Sequence, residues 1–245
     1  MRKVTRRWLW LLLILPVIAV VGFVIWASIT PAPMPKAEAA LQSDDLVRVE
    51  TDTWLQFVPI SGEARAGLIF YPGGRVDPRS YAPMAHALAA EGYLAVITFM
   101  PLNLAVFGIN QADGVIAAHP EIAHWAVGGH SLGGSMAARY VQGAPSKVDG
   151  LLLLASYPDV DLSQLALDVV VVYGTRDGLA TVEKVEGARS LLPASTEWIE
   201  IEGGNHAQFS WYGDQVGDNT AEISHEQQQA QVIDAGISLL KRVAA

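Results

Sequence analysis

The sequence predicts an α/β fold in which a mostly parallel sheet of eight strands carries helices on both faces. Two short segments around residue 50 alternate between apolar and polar residues, which is typical of antiparallel strands at a sheet edge. Apolar runs of strand length then alternate with helical patterns, as a parallel sheet with crossover helices requires. One long charge-free segment precedes them, and the remaining residues, about 200, suit a single domain.

The N-terminal residues predict a transmembrane signal anchor over 8–29, preceded by a basic tail, 1–7. The segment 8–29 carries no charge, and as a helix it would extend about 33 Å, enough to cross the hydrocarbon core of a bilayer. Four basic residues lie in the tail. The positive-inside rule therefore places the tail in the cytoplasm and the domain outside it, on a cell membrane that the chain spans once.

A cleaved signal peptide is the alternative for this N-terminal segment. The nearest site of the small-x-small type is Ala37-Glu38-Ala39, well beyond the end of the apolar run. The run itself is longer than the roughly 7–15 residues of a usual signal-peptide core. Both observations favour a retained anchor.

The chain after its basic N-terminus is acidic and contains no cysteine. Residues 1–36 hold five of the 16 Lys and Arg residues and none of the 25 Asp and Glu residues, so the rest carries a formal charge of −14. Such an acidic surface disfavours nucleic acid as a partner. The absence of cysteine excludes disulfides, thiolate metal sites and a cysteine nucleophile.

The elements of the domain follow one another in a regular order. Residues 30–43 are rich in Pro and Ala and predict an extended, solvated linker before a domain at 44–245. Strands are expected near 45–50, 53–59, 66–71, 93–100, 124–130, 149–155, 169–174 and 197–201. The first two and the last alternate in period two, whereas the others are apolar runs of buried-strand type. Helices are expected near 80–91, 110–118, from 135, 181–192 and 221–243, where apolar residues recur at helical spacing.

The stretch that follows the fifth strand has the pattern of a nucleophile elbow. Gly129, Ser131 and Gly133 stand at alternate positions between a buried strand and a helix rich in small residues. The chains on either side of such a turn approach so closely that glycine is needed next to the serine. Ser131 is therefore the candidate nucleophile, and the N–H of Leu132 faces the place where an oxyanion would form.

A serine nucleophile needs a base and an acid, which we expect after later strands. Asp177 follows the strand 169–174, and His206 follows the strand 197–201. The carboxyl ends of parallel strands meet at one edge of a sheet, so Ser131, Asp177 and His206 are expected to converge there. His206 would act as the base, and Asp177 would orient its ring.

Other side chains compete for these two roles. Asp159 and Asp161 follow the preceding strand and are alternatives for the acid. His225, early in the last helix, is an alternative for the base. His130 is adjacent to Ser131, and we expect it to pack, because its side chain cannot reach round to the serine hydroxyl.

A second oxyanion donor is expected from the loop after the third strand, Pro72-Gly73-Gly74-Arg75. Gly74 is the assigned donor, and Arg75 is the alternative because the register is uncertain by one residue. The Arg75 side chain could also bind a substrate carboxylate. An ion pair with Asp77 at the surface is an equally good interpretation of the Arg75 side chain.

These motifs resemble those of the α/β-hydrolase superfamily. The resemblance rests on Gly-His-Ser-Leu-Gly-Gly, Gly-Thr-Arg-Asp and Gly-Gly-Asn-His and covers roughly 45–243. Tyr-Pro-Gly-Gly-Arg-Val-Asp-Pro and Gly-Asn-His-Ala-Gln-Phe are similar to a bacterial membrane-anchored subgroup related to dienelactone hydrolases. Those hydrolases use cysteine where this chain has Ser131. Only Ser156 to Asp168 is available for a lid, so no large lid is expected.

The resemblance and the candidate triad together predict a serine hydrolase. It would act on a small ester-like molecule, a carboxylic ester, thioester or lactone, through an acyl-enzyme and without a cofactor or a metal. An amide or peptide hydrolase is one alternative. A non-catalytic binding module, anchored to the membrane on the same fold, is the other.

Overall fold

The computed structural model describes the backbone of residues 6–245 and the side chains of residues 14–245. The strands are β1 (Val47–Thr51), β2 (Leu55–Pro59), β3 (Gly67–Tyr71), β4 (Leu94–Ile97), β5 (Trp125–His130), β6 (Gly150–Leu154), β7 (Asp168–Gly174) and β8 (Glu197–Ile201). The helices are α1 (Arg6–Ser28), α2 (Pro35–Ala39), α3 (Ala82–Ala90), α4 (Gln111–Ala118), α5 (Leu132–Gly143), α6 (Val182–Gly187) and α7 (His225–Val243). Short 3₁₀ turns lie at Pro78–Tyr81, Pro101–Asn103, Ala105–Phe107, Arg189–Leu191 and Ala207–Phe209.

All eight strands form one sheet in the order β1-β2-β4-β3-β5-β6-β7-β8. β1 and β2 pair antiparallel, and β2 pairs antiparallel with β4. The strands from β4 to β8 pair in parallel. The predicted mostly parallel sheet of eight strands, with an antiparallel hairpin at its edge, is confirmed. Because the six strands β3 to β8 run in one direction, the loops after β3, β5, β6, β7 and β8 all leave from the same edge.

Helices cover both faces of this sheet, as the buried apolar strands predict. Gly128 and Gly129 are successive residues of β5, so their Cβ positions point to opposite faces. A Cβ at Gly129 would lie 2.4 Å from the carbonyl carbon of Gly133 in α5. A Cβ at Gly128 would instead meet Leu152, whose side chain packs against Gly236 of α7. α5 and α7 therefore lie on opposite faces.

Two helices are shorter than the sequence pattern predicts. α6 ends at Gly187 and is followed by a separate 3₁₀ turn, where a helix over 181–192 was expected. α7 begins at His225 rather than near residue 221, because the Ser224 hydroxyl caps the helix by accepting from the Gln227 N–H. The segment between β6 and β7 carries only turns, in agreement with the expected absence of a large lid.

Residues 30–43 differ from the extended, solvated linker that their composition predicts. Pro35–Ala39 forms the short helix α2, and Pro33 and Ala37 are buried. The Met34 N–H donates to the Trp211 carbonyl over 2.8 Å, which ties the segment to the domain. The segment is therefore held against the domain by its buried residues and this hydrogen bond, while most of its residues stay exposed.

The helix α1 precedes this segment, and its last turn lies against the domain, where Ala27 is buried. In the described part of the chain, no helix combines the length and the apolar composition needed to cross a membrane. The side chains of residues 8–13 of the predicted anchor, 8–29, and those of the tail 1–7 lie outside the described residues. The anchor stays a prediction.

Candidate active site

Ser131 occupies a strained turn at the edge of the sheet where the parallel strands end. It lies between His130, the last residue of β5, and Leu132, the first residue of α5. Its φ of 52° and ψ of −122° fall in a region that side chains other than glycine rarely adopt. Its N–H donates to the Leu154 carbonyl over 3.0 Å. The turn presents the half-exposed serine above the helix N-terminus, as expected of a nucleophile elbow.

The glycines beside Ser131 are required by contacts with the backbone. A Cβ at Gly133 would lie 2.1 Å from the Tyr71 carbonyl oxygen and 2.5 Å from that of Pro72. A Cβ at Gly129 would overlap Gly133 itself. No side chain fits at either position unless the backbone moves. α5 therefore begins in direct contact with the end of β3, which brings the loop 72–75 next to Leu132.

Ser156 supports the turn and was not anticipated from the sequence. It follows β6, is 2% exposed, and donates from its hydroxyl to the Ser131 carbonyl over 2.7 Å. The Ser135 hydroxyl donates to the Tyr157 carbonyl over 2.8 Å. The two hydroxyls thus join α5 to the loop after β6. β5 and β6 are neighbours in the sheet, so the residues that follow them are expected to lie close together. No local sequence motif, however, identifies Ser156 as the residue that makes this contact.

Asp177 and His206 lie together, and both are buried. The Nδ1–H of His206 donates to Asp177 Oδ2 over 2.8 Å. The other carboxylate oxygen accepts the N–H groups of Leu179, over 2.8 Å, and Ala180, over 2.7 Å. These bonds hold the carboxylate in place, so that it can fix the orientation of the imidazole ring through Nδ1. The convergence of residues 29 positions apart follows from the parallel pairing of β7 and β8.

The alternative acids make contacts elsewhere. Asp159 accepts from the Arg139 guanidinium, with Nε 2.9 Å from Oδ1, and this pairing holds the pKa of Asp159 below its usual value. Asp161 accepts the Ser163 N–H over 2.9 Å, which lowers the pKa of its exposed carboxyl. Each carboxylate is thus engaged by a group other than His206.

The alternative base also has another role. The ring of His225 stacks on Trp211 with centroids 3.8 Å apart, and its Nε2–H donates to the Ser210 carbonyl over 2.9 Å. Burial lowers the pKa of His225. The stack and the hydrogen bond hold this imidazole against the segment 210–211.

His130 packs beneath the site, as its position in the elbow predicts. It is fully buried, and its ring centroid lies 4.6 Å from that of His206. Its Nδ1 lies 2.9 Å from the Tyr81 hydroxyl, which also accepts the Gly73 N–H over 2.9 Å. Burial, and then the nearby His206, hold the pKa of His130 well below its usual value. A neutral imidazole therefore links the loop 72–75 to the histidine loop.

A cavity of about 260 Å³ opens beside Ser131 and His206. Its lining residues are Ser131, Leu132, Ser135, Ala155, Ser156, Tyr157, Leu179, Ala180 and His206. The buried Nε2 of His206 has no hydrogen-bond partner among the described residues. Over the same part of the chain, no group of three or more His, Asp or Glu side chains could hold a metal ion. Ser131 and His206 therefore line the same small cavity.

The loop 72–75 has one backbone N–H that is free to bind a ligand. The Gly73 N–H is taken up by the Tyr81 hydroxyl, and the Arg75 N–H donates to the Asn103 carbonyl over 2.8 Å. The N–H of Gly74 makes no hydrogen bond to any described residue. Leu132 is the first residue of α5, where N–H groups have no partner within the helix. Gly74 thus fits the second donor position better than Arg75 does.

The Arg75 side chain points to α1. Its Nη2 donates to the Ile29 carbonyl over 2.9 Å, and its guanidinium lies over the Trp26 ring at 4.4 Å. Asp77, the ion-pair partner considered for it, instead pairs with Arg79 over 2.6 Å. In this arrangement the guanidinium contacts the N-terminal helix, and no carboxylate neutralises it among the described residues.

Asp218 joins the two loops that carry His206 and Asp177, and no sequence pattern predicts this contact. Its Oδ1 accepts the Gly178 N–H over 3.0 Å, and its Oδ2 accepts the Ala207 N–H over 2.9 Å. These donors directly follow Asp177 and His206. One carboxylate therefore fixes the spacing of the two loops. Asp218 lies in an irregular segment before α7, where no spacing rule applies.

We expect the buried His130 to make the fold sensitive to acid. The pKa of His130 lies below its usual value of about 6.5 in the folded state. Below about pH 6.5, the unfolded chain therefore binds a proton at this residue that the folded chain does not bind. The free energy of unfolding should be maximal above about pH 6.5 and fall as the pH falls below it. When the pH falls from 7.5 to 5.0, the free energy of unfolding of His130→Asn should fall by about 1–2 kcal/mol less than that of the parent.

Urea denaturation at the two pH values measures this difference. His124→Asn, at a half-exposed histidine, is the matched control and should lose stability with pH as the parent does. Equal losses in His130→Asn and in the parent would contradict the assignment of a neutral, buried imidazole.

Known proteins resemble this chain in sequence pattern and in fold. A family model described as the alpha/beta hydrolase family matches residues 67–230, which is more than half of the chain. A search of the curated proteins gives no match. A solved structure described as a predicted CIB-like hydrolase from Thermoplasma acidophilum superposes with a TM-score of 0.60 and 14% identity, over 79% of this chain and 99% of that one. The esterase domain of a Rhodothermus marinus protein superposes with a TM-score of 0.61 and 12% identity, over 78% of this chain and 93% of that one.

These two likenesses show the fold, and the family model agrees with it. The predicted α/β-hydrolase fold is confirmed. The narrower resemblance to a membrane-anchored subgroup related to dienelactone hydrolases is not confirmed and stays a prediction. The chain belongs to the α/β-hydrolase family.

Proposed function

We propose that this protein is a serine hydrolase that cleaves an ester-like bond through an acyl-enzyme on Ser131. The observation that carries the proposal is the state of His206. Its Nδ1–H donates to Asp177 over 2.8 Å, its buried Nε2 has no partner among the described residues, and its side chain lines the same cavity as Ser131. A general base needs this combination of one oriented nitrogen and one free nitrogen next to the nucleophile.

The reaction follows from these positions. His206 Nε2 takes the proton of the Ser131 hydroxyl as the oxygen attacks the carbonyl carbon, and Asp177 stabilises the imidazolium that forms. The N–H groups of Leu132 and Gly74 donate to the oxyanion. The imidazolium then protonates the departing alcohol or thiol. Water, deprotonated by the same nitrogen, attacks the acyl-enzyme and regenerates Ser131.

The proposed substrate is a carboxylic ester, thioester or lactone, and the reaction needs no cofactor. The family supports hydrolysis, and a structural neighbour is described as an esterase domain. We place the domain on the outer side of a membrane, held by the segment 8–29. The absence of charge from that segment and the basic residues before it support this location.

A fluorophosphonate probe tests the nucleophile. It should label the full-length protein, and Ser131→Ala should abolish labelling, because the phosphorus reacts only with an activated serine oxygen. His206→Ala should slow labelling by at least about 10²-fold, as the loss of a general base does. Ser190→Ala, at an exposed serine, is the control and should react as the parent does. Undiminished labelling of Ser131→Ala would rule the proposal out.

The Asp218 carboxylate should matter for the rate although it does not touch the reacting atoms. Asp218→Asn turns one of its two acceptor oxygens into a donor that faces a backbone N–H, so the loops of Asp177 and His206 should shift apart. We expect kcat for an activated ester to fall on the order of tenfold, about 1.4 kcal/mol, with little change in KM.

Steady-state kinetics with a p-nitrophenyl ester measure the effect. Asp214→Asn is the matched control, an exposed acid on the same segment, and should leave kcat unchanged. A kcat for Asp218→Asn within twofold of the parent value would show that the two loops keep their spacing without this carboxylate.

The cavity predicts a preference for compact, uncharged acyl groups. Its volume, about 260 Å³, lies below the ~300–1,000 Å³ of pockets that hold drug-sized ligands. It has no Asp, Glu, Lys or Arg in its lining, and the hydroxyls of Ser135 and Ser156 already donate to backbone carbonyls. A carboxylate on the acyl chain would lose its hydration there without gaining a cation.

A series of p-nitrophenyl esters measures this preference. The kcat/KM for the butyrate should exceed that for the dodecanoate and that for the negatively charged hemisuccinate by at least about tenfold each. Leu179→Ala enlarges the cavity and should reduce the difference in kcat/KM between the butyrate and the dodecanoate. Faster turnover of the hemisuccinate than of the butyrate would contradict an uncharged acyl site.

A further inference from the structure

The end of the N-terminal helix lies against the loop that carries the Gly74 N–H. We propose that Arg75 is a positioning residue that, together with Asn103, ties the end of α1 to this loop, so that the docked helix helps to set the rate of the chemical step. The inference rests on the proposed function, because it assigns the Gly74 N–H to the oxyanion.

The helix side of this contact consists of carbonyl groups that a helix leaves free. The last four carbonyls of a helix have no partner within it and must be satisfied by other groups. Asn103 Nδ2 donates to the Ala27 carbonyl over 3.1 Å, and Arg75 Nη2 donates to the Ile29 carbonyl, just beyond the helix end, over 2.9 Å. A cation at this end is also favoured by the helix dipole. Two side chains of the domain therefore cap α1.

The guanidinium of Arg75 makes a second contact with the same helix. It lies over the Trp26 ring, 4.4 Å from the centroid, and Trp26 sits one residue before the buried Ala27. Arginine can stack on an aromatic face and donate from its rim at the same time, which lysine cannot do. The stack and the hydrogen bond together hold the side chain in one orientation.

The loop side of the contact is held in an unusual backbone conformation. Arg75 and Asn103 have φ values of 59° and 53°, and the Arg75 N–H donates to the Asn103 carbonyl over 2.8 Å. Residues other than glycine persist in this region only when their surroundings hold them there. The side-chain hydrogen bonds from Arg75 and Asn103 to the end of α1, and the backbone hydrogen bond between these two residues, hold them in this region. Gly74 immediately precedes Arg75, so the direction of its N–H depends on them.

A small change in this direction is expected to affect catalysis more than binding. An oxyanion donor acts on charge that develops only in the transition state, and the loss of one donor typically costs about 10²–10³ in kcat. The contact between α1 and the loop lies outside the cavity where the acyl group is proposed to bind. Loosening it should therefore lower kcat and leave KM nearly unchanged.

Three variants of the full-length chain test the proposal. Arg75→Ala removes the cap and the stack, Trp26→Ala removes only the stack, and Arg75→Lys keeps the charge and one donor. We expect kcat for p-nitrophenyl butyrate to fall on the order of 30-fold in Arg75→Ala and fivefold in Trp26→Ala, with partial recovery in Arg75→Lys and KM within twofold throughout. Ile25→Ala, an exposed apolar residue of the same helix, is the control and should match the parent.

Hydrogen exchange of the peptide covering residues 73–76 gives a readout that does not depend on activity. It should be faster in Arg75→Ala and Trp26→Ala than in the parent, while exchange in β5 stays the same. Unchanged exchange, or a kcat within twofold of the parent in both variants, would overturn the proposal. Retention of esterase activity by Ser131→Ala would instead disprove the proposed function, and the exchange measurement would still decide whether α1 holds this loop.

Discussion

The contact between Gly133 and the carbonyls at the end of β3 is the constraint on which the site depends. With a Cβ at residue 133, the start of α5 could not approach Tyr71 and Pro72. The close approach holds Ser131 at a φ of 52°, at a cost of about 1–3 kcal/mol that the surrounding fold must offset. It also brings the N–H groups of Leu132 and Gly74 to neighbouring positions. The proposed nucleophile and the proposed oxyanion donors thus take their positions from one contact between a helix and the end of a strand.

The other half of the site depends on hydrogen bonds between loops. Parallel pairing of β7 and β8 brings the segments after them to the same edge, but it does not fix their spacing. Asp218 fixes it by accepting one N–H from each loop. Gln228 of α7 adds two bonds to the backbone of Asn205, over 3.0 and 2.8 Å. The histidine therefore takes its position from α7 and the segment before it as well as from its own strand.

Sequence patterns predict the parts of this structure that repeat a local rule. Buried strands appear as apolar runs, and the elbow appears as glycines spaced around Ser131, because both reflect contacts within a few residues. The supports of the site, Ser156 and Asp218, have no such pattern. They act between segments that are distant in the chain, and a lone serine or aspartate in a loop looks like any solvated residue.

The same reason explains two features of the structure that composition and spacing do not predict. Pro- and Ala-rich composition predicts an extended linker at 30–43, but small apolar residues such as Ala37 also suit a surface that packs closely. Whether a segment is solvated or docked depends on the surface opposite, which composition does not contain. The orientation of Arg75 towards α1 rather than Asp77 has the same origin, because Trp26 and Ile29 lie far from it in the chain.

The central claim is that Ser131, His206 and the N–H groups of Leu132 and Gly74 act on one carbonyl group. A crystal structure of the protein after reaction with a small alkyl fluorophosphonate tests it most directly. The account predicts phosphorus bonded to Ser131 Oγ and a phosphoryl oxygen about 2.7–3.1 Å from both backbone nitrogens. His206 Nε2 should lie within about 3.2 Å of an oxygen of the adduct. An adduct on another residue, or a phosphoryl oxygen directed to solvent, would contradict it.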